Sequence, residues 1–393
     1  MSVSAVKKYV RAIDLHTAKN QKWVMVGLFA LLFVLSLVIR KSLIHFQNPD
    51  YMIFSSWYDF VKAHGIHSFK DGFSNYNPPY TYFLYIATLL PISKIVAIKG
   101  LLLIFDVVLA ISVYLLVSVF RSRKVALTAA LASMFLPTVM ITGVFWGQFD
   151  QLYVAFMLFS LWAALRGKSQ WAWAFFGIAV AVKLQAIFLL PALSIFIFKK
   201  IRWYDAIWGV ASFLLLTLPP MFTGRSLHSL LDIYPAQARL FSGVLTLNAP
   251  NIYQWFPNSA FQFFNQMGIY LTVAVVVFVL LASLWYKKFS NRDLLVVSSL
   301  MLYVMPFVLP AMHERYFFPA GVLSLVVAFA YPTRTFIAIA VLMQVITLFS
   351  YGPFLFGTLL VPFTFLSLAV LVIICMLTAA YMGWGAKRLN TEE

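Results

Sequence analysis

Cysteine and negative charge are what this sequence has least of. One cysteine, Cys375, occurs in 393 residues, inside an apolar run, so intrachain disulfides and a cysteine-rich metal site are excluded. Charge as a whole is scarce, at 10% of residues against roughly 25% in an ordinary soluble domain. With 63% of residues hydrophobic, a soluble fold of this size cannot bury its apolar surface, and lipid must solvate it. The charges present are unequal: 29 Lys and Arg against 12 Asp and Glu, a net charge of +17. That excess would suit nucleic acid, but the basic residues cluster at the ends of apolar runs, where they orient helices in a bilayer. No small-residue cleavage site follows the first apolar run, which lies behind Lys7, Lys8, Arg11, Lys19 and Lys22. That run is expected to be a retained anchor.

Apolar runs begin near residues 23, 98, 125, 149, 171, 186, 205, 265, 293, 316, 335 and 354, so the expectation is an all-α polytopic membrane protein of about twelve transmembrane helices. Two stretches are ambiguous. Pro79 to Pro91 is short and Tyr-rich, and Trp171 to Phe198 is long and carries Lys183 and Gln185 in its middle. Either 79–97 crosses and 171–198 is one helix, or 79–93 lies in the interface and 171–198 is a hairpin turning at Lys183-Leu184-Gln185. With the N-terminus inside, the second reading places 19 of the 29 basic residues in the cytoplasm and the first places 16. The positive-inside rule selects the second. Both termini are then cytoplasmic, and the turns at 146–150, 183–185 and 313–315 share the outer face with long loops at 41–97 and 223–264. Seven of the 12 acidic residues (Asp50, Asp59, Asp71, Asp106, Asp150, Asp232 and Glu314) lie on or towards that face. The domain plan is a cytoplasmic segment at 1–22, a catalytic membrane module at 23–264, further helices at 265–380 and a cytoplasmic tail at 381–393.

The polar residues of that face form the candidate site. Asp50 follows the first crossing behind Asn48-Pro49, where it reads either as an N-cap or as a functional carboxylate at the membrane surface. Asn75-Tyr76-Asn77-Pro78-Pro79 is a stiff extended segment. Its tyrosines suit an aromatic belt, and its amides suit a sugar. Trp146-Gly147-Gln148-Phe149-Asp150 combines an indole face with amide and carboxylate groups, which is sugar-binding chemistry, although Asp150 also fits a cap. Lys183 and Gln185 interrupt an apolar stretch, so Lys183 is either functional or a snorkelling lysine. Arg225, Arg239 and His313-Glu314-Arg315 add cations suited to phosphate. His64, His67 and His313 make only a weak zinc set.

The ordered set of loop Asp50, Asn75-Tyr76-Asn77-Pro78-Pro79-Tyr80, Trp146 to Asp150, the run through Lys183 and Gln185 to Leu190-Pro191, and Met312-His313-Glu314-Arg315-Tyr316 resembles GT-C glycosyltransferases. The similarity is greatest to prokaryotic relatives of the second GPI mannosyltransferase, and more distant to dolichyl-phosphate-glucose glucosyltransferases. The resemblance implies a GT-C-like fold with interfacial helices in the first external loop. It also implies inverting transfer of a sugar, mannose favoured, from a polyprenyl-phosphate donor on the outer face. A glycolipid, polymer or protein hydroxyl would be the acceptor. Asp50 would be the catalytic base. Lys183, Gln185, Arg239, His313 and Arg315 would hold the donor phosphate, and Asn75, Tyr76, Asn77, Trp146, Gln148 and Asp150 the sugar or acceptor. Many relatives carry a second acidic residue beside the first; here the next is Asp59, roughly 13 Å along a helix. No cofactor or metal is required by this chemistry, although a divalent cation is compatible with it. The competing reading is a lipid-linked sugar flippase or small-molecule transporter, which would want inverted repeats and polar residues at depth.

Overall fold

The computed structural model describes residues 25–197, 200–285 and 289–389. The segment 1–22 with its five basic residues, Lys199, Lys287, Lys288, the end of the tail, and the side chains of Lys387 and Arg388 lie outside the described residues. The described residues before 44 form one unit and those from 44 onward a second. In the first, α1 (Met25–Leu43) is long and apolar enough to cross a bilayer and is mostly exposed.

In the second unit, α2 (Pro49–His64) and α3 (Pro78–Thr88) fill the first long loop. Then come α4 (Lys94–Val117), α5 (Arg123–Met134), α6 (Asp150–Leu165), α7 (Ser169–Val182), α8 (Leu190–Ile197) and α9 (Ala206–Thr217). Beyond the second loop lie α10 (Phe261–Trp285), α11 (Asn291–Val308), α12 (Phe318–Ala330), α13 (Arg334–Phe356) and α14 (Phe363–Leu389). Each apolar run of the sequence has its helix in α1 or α4–α14. Among the described residues seven helical segments are long enough to cross unaided, and α5 with the bent Pro137–Phe145 segment brings the number to eight at most. The protein is thus an all-α integral membrane protein in which several apolar runs are half-length. The last run starts later than expected, because Gly357 in the left-handed conformation (φ 65°) ends α13 and Pro362 then precedes α14.

Both ambiguous stretches have a physical resolution. Asn77 is the N-cap of α3, with Pro78 and Pro79 in its first turn, and the 11-residue helix ends at Leu89. It is about 16 Å long, too short for a ~30 Å hydrocarbon core. At Lys183 the backbone is extended (φ −154°, ψ 133°), ending α7. The chain then returns: the Arg202 amide donates to Ser169 Oγ at 2.8 Å, and Trp173 Nε1 donates to the Arg202 carbonyl at 3.1 Å. Lys183 is therefore the apex of a hairpin closed at its base.

The bundle around this hairpin is tight. A Cβ on Gly177 of α7 would lie 2.0 Å from the Gly209 carbonyl of α9, so only glycine permits these helix backbones to touch. Helix α11 is the central element, with 83% of its span buried, whereas the spans containing α9 and α10 are 17% and 11% buried and face lipid. A capping box of Ser290 and Asp293 starts α11. The second loop is stitched to the turn after α11 by a two-residue parallel ladder, Thr246 with Met312 and Leu247 with His313. Tyr253 Oη, donating to the Val308 carbonyl at 2.7 Å, reinforces that seam.

Candidate functional site

The position of Asp50 follows from its neighbour. Asn48, not Asp50, is the N-cap of α2: its side chain accepts from the Tyr51 amide at 3.0 Å. The same side chain donates to the Trp146 carbonyl at 2.7 Å, tying α2 to the turn before α6. With the cap supplied, the Asp50 carboxylate is available for other partners. Trp146 Nε1 at 2.8 Å, Gln148 Nε2 at 2.6 Å and Arg315 Nη1 at 3.4 Å all donate to its Oδ2. Three donors on one oxygen fix the carboxylate plane, and Asp50 lines the cavity described below.

The Trp146–Asp150 turn is the back of this arrangement and differs from its expected part. Trp146 is wholly buried: Phe354 stacks on its ring at 5.0 Å, Tyr351 meets it edge-on at 5.0 Å, and the Arg315 guanidinium lies 5.4 Å from it. The ring therefore offers no sugar platform, and its N–H serves Asp50. Gln148 is also fully buried and bridges, accepting from Tyr76 Oη at 3.2 Å while donating to Asp50. Gly147 permits this doubled-back turn through a left-handed φ of 96°. Asp150, fully buried, pairs with Lys183 Nζ rather than facing the cavity.

Lys99 secures the two turns to each other. Fully buried in α4, it donates to the Phe46 carbonyl at 2.5 Å and the Phe145 carbonyl at 2.7 Å. These carbonyls precede Asn48 and Trp146 respectively, and the two phenyl rings stack at 3.8 Å. A buried ammonium without a carboxylate is costly unless hydrogen-bonded, and here the backbone solvates it.

A cavity of about 520 Å³ opens in front of Asp50. Lys183, Gln185, His313 and Arg315 line it, as do Asn75, Tyr76 and Asn77; its remaining wall, from Leu240 through Ile269 to Leu309–Met312, is largely apolar. Burial holds the His313 imidazole below its ordinary value, against an upward pull from Glu314. It raises the Tyr76 phenol, which stays protonated and donates to Gln148. Nε2 of His313 and Nε of Arg315 are buried without a hydrogen-bond partner among the described residues, and a polar group in the cavity could satisfy them.

Two expected binders are otherwise engaged. Asn77 donates to the Ala181 carbonyl at 2.7 Å and to Thr217 Oγ1 at 3.2 Å, so its amide fastens α3 to the hairpin. Arg239 is exposed and forked onto Asp232 at 2.9 and 2.8 Å, and it does not line the cavity. Asp59 is exposed and pairs with Lys94 at 2.6 Å. Of the seven outer-face acidic residues, Asp50, Asp150 and Glu314 gather at the site. Among the described residues no group of three or more His, Cys, Asp or Glu converges as a metal set.

Asn48, Lys99, Trp57 and Gln237 escaped the motif reading. Lys99 carried a signal, a lone cation in an apolar run. Trp57 carried another, lying seven positions from Asp50 on the same helix face.

Comparison with known proteins adds two findings. The model of glycosyltransferase family 87 matches residues 73–310, more than half of the chain. The match takes in the Asn75–Asn77, Trp146–Asp150 and Lys183–Gln185 turns and stops short of Asp50 and His313. The crystal structure of ArnT from Cupriavidus metallidurans bound to undecaprenyl phosphate is similar in fold, with TM-score 0.57 and 12% identity over 92% of this chain and 77% of that one. No curated protein matches the sequence significantly.

Proposed function

The chain belongs to glycosyltransferase family 87, and from that membership we propose that it moves a sugar, mannose by motif resemblance, from a polyprenyl-phosphate donor to an acceptor hydroxyl with inversion. The observation that carries this reading is a carboxylate and three cationic or imidazole side chains on one cavity. Asp50 lines it together with Lys183, His313 and Arg315. The polyprenyl-phosphate donor is supported by the fold shared with ArnT, whose crystal structure holds undecaprenyl phosphate.

In this mechanism Asp50 takes the proton of the acceptor hydroxyl as that oxygen bonds to the anomeric carbon. The bond from the anomeric carbon to the phosphate oxygen breaks, its electron pair leaves with the polyprenyl phosphate, and the configuration inverts. Trp146 and Gln148 hold the carboxylate through Oδ2. Lys183, His313 and Arg315 meet the charge growing on the phosphate, with Arg315 offering a fork and Lys183 a point charge. Lys183 already neutralises Asp150, so it presents its remaining N–H groups. The donor is a monoanionic diester and the leaving group a phosphate monoester, whose added charge Lys183 and Arg315 would stabilise together with the His313 imidazole. The positive-inside count supports cytoplasmic termini and, with them, a cavity on the extracytoplasmic face.

The test is to incubate purified protein with polyprenyl-phosphate mannose and a panel of hydroxyl acceptors and follow lipid-phosphate release. Wild type should release lipid phosphate and form an inverted glycoside. Asp50→Asn should lose about 10²–10⁴-fold in rate while retaining its fold. Donor translocation without cleavage would replace this reading with the flippase.

A further inference from the structure

The tryptophan that lines the cavity is not the one the motif advertises. Trp146 is wholly enclosed. Trp57, on α2, is half-buried and lines the cavity beside Asp50, Ile53 and Phe54. These residues share one helix face, with Trp57 about 10.5 Å along the axis from Asp50. Helix side chains lean towards the N-terminus, so the indole inclines towards the carboxylate. Phe54, Tyr76 and Tyr80 surround it at centroid distances of 5.5, 5.4 and 6.0 Å and interplanar angles of 53°, 70° and 72°. None of the three lies flat on the indole; they brace it from the edge.

Next to this ring are two amides. Asn75 and Gln237 both line the cavity, and Gln237 Nε2 donates to the Asn75 carbonyl, which fixes the pair. The lining cations Lys183 and Arg315, with the His313 imidazole, come from the hairpin apex and the turn after α11, whereas the wall of Trp57, Asn75 and Gln237 carries no charge. Inversion requires the acceptor to approach opposite the departing phosphate. A phosphate held by the cations therefore leaves the uncharged wall for the acceptor. A half-buried indole lining the cavity beside amide donors and acceptors suits a pyranose, which has an apolar ring face and a hydroxyl rim.

We propose that Trp57, Asn75 and Gln237 form a subsite for a pyranose ring of the acceptor, so that the acceptor is a glycan or glycolipid. This rests on the glycosyl-transfer reading above and narrows it. A serine or threonine hydroxyl of a protein, or a simple polyol, would leave this wall unfilled.

The experiment compares wild type, Trp57→Phe and Trp57→Ala with polyprenyl-phosphate mannose as donor. Octyl α-mannopyranoside, a threonine-containing peptide and glycerol serve as acceptors, and donor hydrolysis by water is measured alone. Wild type should prefer the glycoside. Trp57→Ala should raise the glycoside KM about tenfold, Trp57→Phe less, and both should leave donor KM and donor hydrolysis at wild-type values. A glycoside KM within twofold of wild type in Trp57→Ala overturns the subsite, as does wild-type preference for peptide or glycerol. Equal loss of hydrolysis and transfer also overturns it, since Trp57 would then be supporting the fold or Asp50. Wild type that neither transfers nor hydrolyses the donor defeats the underlying glycosyl-transfer reading and the subsite together.

Discussion

Removing Lys183 should damage the protein in two separable ways. Its ammonium pairs with Asp150, both are buried, and Asp150 Oδ2 has no hydrogen-bond partner of its own. In Lys183→Met, Asp150 becomes a buried carboxylate without compensation, and breaking such a pair costs about 3–5 kcal/mol. In Lys183→Met/Asp150→Asn the charge is gone from both sides, and most of that loss should be recovered, because a neutral amide needs far less solvation. Donor recognition should not recover: the cavity still lacks the lysine that lines it, so the KM for polyprenyl-phosphate sugar should stay raised in the double variant. Apparent unfolding midpoints in detergent report the first effect, and steady-state kinetics the second. A double variant as unstable as Lys183→Met would show that the ion pair is not what burial of Asp150 depends on. A double variant with wild-type donor KM would confine Lys183 to its partnership with Asp150 and remove it from the phosphate site.

Four further outcomes follow from the geometry. Trp146→Phe retains a ring against Phe354 and Tyr351 but removes the donor to Asp50 Oδ2; loss of one such bond, about 1.5–3 kcal/mol, should appear in kcat at unchanged donor KM, and an unaltered kcat would deny the indole that part. Lys99→Met orphans the Phe46 and Phe145 carbonyls and should lower stability by about 2–5 kcal/mol, measured as the apparent unfolding midpoint, with Lys99→Arg less damaging. Arg239→Ala should leave donor KM unchanged, since its partner Asp232 and its own exposure place it at the surface. Arg315→Lys should raise donor KM severalfold by breaking the fork geometry; reversal of this order would restore Arg239 to the phosphate site.

Features that depend on neighbours in the chain were legible in advance. A lysine and a glutamine in an apolar run announce a break, and the backbone duly becomes extended at Lys183. Consecutive prolines announce the start of α3. Asp50 stood out by following a helix end in a turn. The roles of side chains that depend on distant partners were not legible. Trp146 is hidden by Tyr351 and Phe354, about two hundred positions away, and no local pattern distinguishes a covered indole from an open one. The Asn77 amide is claimed by Ala181 and Thr217 from two other elements, and Arg239 by Asp232, the N-cap of its own short helix. Motif reading therefore located segments that line or back the cavity, but not which of their side chains are taken up by distant partners.

The short seam between 246–247 and 312–313 joins two things an enzyme of this kind must coordinate. His313 pairs through its backbone with the second loop and through its position with the cavity, and Arg315, which touches Asp50, is two residues away. On the mechanism proposed above, any displacement of that loop would carry His313 and Arg315 away from Asp50. The seam thus makes the integrity of the site depend on where the second loop sits.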